Sequence, residues 1–163
     1  MIPWEKRPDE VANLLNPAFC GEIIRRCIKE YQKRTEEKFQ YSLLYLILPI
    51  VLHRGTREKI NPRSKNKMHT WLQENQDVRI GFANRAKQLV PITREAVQFL
   101  ICQNALEIDS GGGVIIPSYR RKKIEGHNYG EIADIFKKAE IVGKWFSNSG
   151  TTSTIYTMWG VKP

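Results

Sequence analysis

The run 43–52, LLYLILPIVL, constrains this chain more than any other stretch, because only Tyr45 and Pro49 interrupt its aliphatic character. It is about half of the roughly 20 residues that a membrane-spanning helix needs, so it reads as core. A segment that is apolar on every side has to be surrounded by other elements. Its length over 41–53 favours a helix over a strand, with Pro49 near an end or at a kink. A chain of 163 residues has room for one such core and not comfortably for two. A single domain over 1–163 is therefore expected, in three contiguous parts at 1–55, 63–117 and 130–163.

The flanking stretches supply amphipathic partners. Pro8, Asp9 and Glu10 look like a helix start, with acidic residues near the positive end of the dipole. Asn16 followed by Pro17 is a second start, a good N-cap before a residue suited to the first helical position. Phe19, Cys20, Ile23, Ile24, Cys27, Ile28 and Tyr31 then recur at three- and four-residue spacing, with Arg25, Arg26, Lys29 and Glu30 on the other side. The charged stretch 33–38 ends that helix, and 54–67 is a basic connector punctuated by Gly55 and Pro62.

The middle of the chain suggests an ordered unit. Helices are expected over 65–73 (Met68, Trp71, Leu72), over 78–89, and from Pro91-Ile92-Thr93 onwards, with Thr93 as cap and Ala96, Val97, Leu100 and Ile101 as stripe. Two β-prone runs, 106–109 and 114–117, then flank Gly111-Gly112-Gly113 as a hairpin. Three helices and a hairpin is the order of a winged helix. A last helix over 132–146 stops near Asn148 and Gly150, either suited to a left-handed cap. The β-branched and aromatic stretch 152–161 reads as a final strand paired with the hairpin. The fold class is thus α+β, predominantly α-helical, with a winged-helix-like centre, N-terminal helices, and a C-terminal helix and strand.

Composition narrows the chemistry. Cys20, Cys27 and Cys102 make an odd count, which argues for reduced thiols. No Cys or His pair sits at zinc-ligand spacing, and His53, His69 and His127 are scattered, so no metal or cofactor is expected. The opening residues carry charge where a signal peptide needs an apolar stretch, so a cytoplasmic protein with no membrane association is expected. Pro8-Asp9 with Glu36-Glu37-Lys38 echoes metal-dependent nucleases, but such carboxylates should project from strands toward a shared cation, and here they fall at helix ends. The triple glycine lacks the Lys and Ser/Thr of a phosphate loop. His53 closes the apolar helix and suits capping better than base chemistry. The expectation is a non-enzyme with no small-molecule substrate.

A formal net charge of +9 attracts polyanions. Arg120, Arg121, Lys122 and Lys123, with Tyr119 beside them, follow the hairpin where a winged helix meets the DNA backbone. Arg94, Gln98 and Gln103 project from the helix that would read bases. Three readings of the basic run stay open: DNA contact, an acidic protein partner, and a solvated loop. Trp4, Trp145 and Trp159 are large enough to anchor a partner interface, although for Trp145 and Trp159 the core is the safer assignment.

Three stretches together resemble the middle component of the three-component ABC, or Lamassu-type, bacterial defence systems. They are Leu14-Leu15-Asn16-Pro17-Ala18-Phe19; Leu48-Pro49-Ile50-Val51-Leu52-His53 followed by Thr56-Arg57; and Gly143-Lys144-Trp145-Phe146 with Trp159-Gly160-Val161-Lys162-Pro163. The resemblance implies an anti-phage, anti-plasmid complex in which this subunit links an SMC-like ABC ATPase to an effector, often a nuclease; such an adaptor allows DNA contact within the complex but does not need it. It carries no catalytic residues over. The rival expectation is a free-standing winged-helix DNA-binding regulator.

Overall fold

The computed structural model describes residues 6–118 and 129–162. The apolar run forms helix α3 (Leu44–Val51), entered through a 3-10 turn at Tyr41–Leu43. Leu44, Leu46, Ile47, Leu48, Ile50 and Val51 are wholly inaccessible, so α3 is enclosed except at Tyr45, which is half-buried. Pro49 lies within it and leaves the Tyr45 carbonyl without its helical donor. The ladder recovers at once, with Leu52 N donating to Leu48 O at 2.9 Å.

Three long helices enclose α3. Helix α2 (Pro17–Gln32) starts as its sequence implies, the Asn16 side chain accepting from Ala18 N at 2.8 Å and Phe19 N at 3.4 Å. Its stripe of Cys20, Ile23, Ile24, Cys27, Ile28 and Tyr31 is buried. Burial pushes the Cys20 thiol up to about 12 and the Cys27 thiol higher still, so both stay protonated. Cys20, Cys27 and Cys102 form no disulfide, and Cys102 is exposed. Helix α1 (Asp9–Leu14) precedes α2, and Arg7 just before it forks onto the Glu95 carboxylate at 2.9 and 2.6 Å.

Helix α7 (Gly130–Ser147) crosses α2 at backbone distance. A Cβ added at Gly143 would lie 2.1 Å from the Cys27 carbonyl oxygen, so only glycine permits this approach. Helix α6 (Phe82–Cys102) is the third wall, and it corrects the winged-helix expectation. The second and third expected helices are one, running through Pro91. The reason is the buried face Phe82, Ala86, Thr93, Ala96, Val97 and Leu100, whose three-to-four period continues past the proline and packs on α2 and α3. Thr93, expected to cap a new helix, instead has a buried hydroxyl with no hydrogen-bond partner.

The sheet is small and antiparallel, in the order β1 (Phe39–Gln40), β3 (Gly113–Ile115), β2 (Glu107–Ile108). The hairpin forms as its glycines imply. The Asp109 carboxylate accepts from Gly111 N at 2.9 Å and Gly113 N at 2.8 Å, and Gly112 takes φ +78°. Its third strand is β1, with Phe39 opposite Val114, and not the C-terminal stretch. That stretch is helix α8 (Thr152–Met158). Gly150 turns the chain at φ +81°, Thr151 Oγ1 accepts from Thr154 N at 3.2 Å, and Ile155, Tyr156 and Trp159 share the buried side. A capped start and this spacing outweigh the β propensity of the threonines.

The connector after α3 is pinned by buried polar groups. Arg57, at the end of the short helix α4 (Arg54–Arg57), bonds the carbonyls of Val51 at 3.0 Å and Leu52 at 3.3 Å and pairs with Glu131 and Asp134 of α7. Lys138 of α7 reaches back to the carbonyls of Arg57 and Ile60. Trp71 on α5 (Met68–Glu74) stacks on Trp145, centroids 4.9 Å apart, and lies 6.1 Å from Trp159. Each indole N–H is satisfied: Trp71 by Lys59 O, Trp145 by Asn66 O and Trp159 by Met68 Sδ.

Two substitutions test this packing. Gly143→Ala forces α2 and α7 apart and is expected to cost about 1–3 kcal/mol, lowering Tm by about 2–4 °C per kcal/mol in a chain of this size. Thr93→Val removes an unsatisfied buried hydroxyl at nearly constant shape and is expected to stabilise by about 1 kcal/mol in urea denaturation.

Candidate partner-binding groove

The face of α6 turned away from the core carries Ala83, Lys87, Val90 and Arg94 at helical spacing. This face forms one wall of a groove of about 560 Å³. Tyr41 and Tyr45, at the entrance to α3, line it together with Tyr156 of α8, Val161 and Lys162. The rings of Tyr41 and Tyr45 meet edge to face at 5.6 Å and 78°, and their hydroxyls hydrogen-bond at 2.8 Å. That hydrogen bond, with burial behind it, raises the Tyr41 phenol above its ordinary range, against the opposing pull of Arg94. The buried Tyr156 hydroxyl donates to Ser42 O, and burial raises its pKa too. Tyr41 and Tyr156 therefore stay neutral at physiological pH.

The rim is cationic. Lys87, Arg94 and Lys162 are all exposed, and none makes an ion pair among the described residues. Neighbouring cations on the same helix and its approach are engaged: Arg85 donates to Val78 O and Ile80 O, and Arg79 reaches Met158 O. Tyrosine walls, small aliphatic residues and unpaired cations together suit a ligand with an apolar part and negative charge.

Of the residues singled out from sequence, Arg94 lies on this rim. Trp145 and Trp159 are 6 % and 1 % exposed and belong to the aromatic cluster, where they hold the connector in place. Trp4, Tyr119, Arg120, Arg121, Lys122 and Lys123 lie outside the described residues. The described chain leads toward that basic run at Ser118, beside a separate cleft of about 360 Å³ lined by Arg25, Lys29 and Lys33. Gln98 and Gln103 are exposed and line neither opening. His53 acts as a cap, but of the following helix: Nδ1 accepts from Thr56 N at 3.1 Å. Burial first, and then Arg85 and Arg57, depress its pKa. Sequence reasoning missed Tyr41, Tyr45, Lys87, Tyr156 and Lys162. The available signal was modest: Tyr41 and Tyr45 four apart, Lys87 and Arg94 seven apart.

A family model described as ABC-three component (ABC-3C) system Middle Component 3 matches residues 4–163. The chain belongs to that family. No curated protein and no solved structure matches it. In this middle component, the stretches that carry the resemblance are mostly structural. Asn16 caps α2, residues 48–51 are in α3, Thr56 and Arg57 are buried at the connector, Gly143 sets the helix contact, and Trp159 anchors the cluster. The groove rim thus lies largely outside them, apart from Val161 and Lys162. Among the described residues, no helix is long and apolar enough to cross a membrane.

Because the rim cations have no counterions, they contribute little to folding. Lys87→Gln combined with Arg94→Gln is expected to leave stability within about 0.5 kcal/mol of the parent in thermal melts. A loss of several kcal/mol would assign both residues to the fold and not to a binding surface.

Proposed function

We propose that this middle component is a non-catalytic adaptor in the cytoplasm that links an SMC-like ABC ATPase to an effector, often a nuclease, in an anti-phage and anti-plasmid complex of the Lamassu type. It holds the effector inactive until foreign DNA or its ends engage the ATPase. The observation that carries this reading is the family match over 4–163, which makes the chain one component of a multi-component ABC system. Supporting it, the described surface carries a groove suited to recognition, and the candidate base His53 is spent on capping. DNA contact within the complex, through Arg120, Arg121, Lys122 and Lys123, is part of the proposal.

The rival reading, a free-standing winged-helix regulator, draws on the helix-turn-helix order expected around Pro91. Continuous helix there takes away the turn that would set a separate recognition helix. An affinity-tagged chain purified from its host, with and without nuclease treatment, separates the two. Nuclease-resistant recovery of an ABC ATPase and a second component is the expected outcome. Recovery of DNA with no stable protein partner would contradict the adaptor role and return the regulator to the front.

A further inference from the structure

We propose that the α6 groove docks an acidic segment of a protein partner, with an apolar side chain of that segment seated between α6 and the tyrosines; this deepens the adaptor reading and rests on it. Charge is the first support. Lys87 and Arg94 stand seven residues apart on one helix face, about 10 Å along the axis, the reach of about three residues of extended chain. Lys162 lines the same groove, and none of the three has a counterion among the described residues. Three unpaired cations at one opening repel one another, a cost that an acidic partner removes.

Volume is the second support. Ala83, Ala86 and Val90 are short side chains facing the tyrosines, and they leave about 560 Å³ between the walls. That holds an aliphatic or aromatic side chain with its backbone, well beyond what a simple ion needs. With the Tyr41 and Tyr45 hydroxyls bonded to each other, one of the two protons remains to donate to a carbonyl or carboxylate of the occupant.

Ring geometry decides against nucleic acid, the other polyanion such a rim attracts. Single strands are held by aromatic faces open to successive bases. Here the Tyr41 and Tyr45 rings meet edge to face, so that the two planes lie nearly perpendicular, and Tyr156 is 6 % exposed. No pair of open, parallel ring faces lines the groove, so phosphates would find charge without a stacking platform.

The test places a photo-crosslinking amino acid at Ala83, an exposed groove position, in the full chain expressed in its host, and maps crosslinked segments by mass spectrometry. The expected product is a covalent link to a net-acidic segment of a co-purifying component, insensitive to nuclease. Lys87→Glu with Arg94→Glu should weaken recovery of that component by at least about tenfold with Tm unchanged, and Lys87→Arg with Arg94→Lys should retain it. A link to a neutral or basic segment overturns the proposal, as does a nuclease-sensitive adduct, which would make nucleic acid the occupant. Co-purification of partners without any crosslink, or undiminished by charge reversal, overturns the groove assignment and leaves the adaptor role standing. If the unaltered chain recovers no partner, both readings fall.

Discussion

The helical packing rests on the contact between Gly143 and the Cys27 carbonyl, the closest approach at any glycine among the described residues. A helix that is apolar all round, such as α3, is stable only if other helices reach every side of it. With α2 and α7 in backbone contact, α6 can cover the remaining flank. Loss of that closeness would open gaps along the fully buried stripe of α2 as well as beside α3. The interior is close-packed and relaxes only in part, so a single methyl group at this crossing is felt well beyond residue 143.

The polar interior depends on the same arrangement. Arg57 and Lys138 are buried cations that survive because backbone carbonyls and the carboxylates of Glu131 and Asp134 meet them. Arg57 also places positive charge at the carbonyl end of α3, where the helix dipole is negative. The three indole N–H groups do comparable work on the connector and on α5. A long basic connector is thereby tied to the core at several points, and α6 is presented with its outer face free.

Much of this was legible in sequence. The buried α3, the Asn16 cap, the periodic stripe of α2 and the glycine hairpin all declare themselves locally. The misreadings have one cause: tertiary packing overrode a local signal. Pro91 is a helix breaker, yet the buried face of α6 continues across it. The threonines of 151–157 favour strand, yet Thr151 caps a helix whose Ile155 and Tyr156 fill the core. The groove was hidden for a different reason. It is assembled from α3, α6, α8 and the C-terminal segment, so no spacing rule links Tyr41 to Lys162.

Family membership and surface chemistry support the proposed account, in which a helical body with a cation-rimmed groove holds other proteins. The direct measurement is an electron cryo-microscopy structure of the complex purified with the other components of its ABC system. The account predicts this chain in contact with two different partner subunits, with an acidic segment of one seated between Lys87 and Arg94. A structure in which the chain touches one subunit only and the α6 face opens to solvent would contradict it.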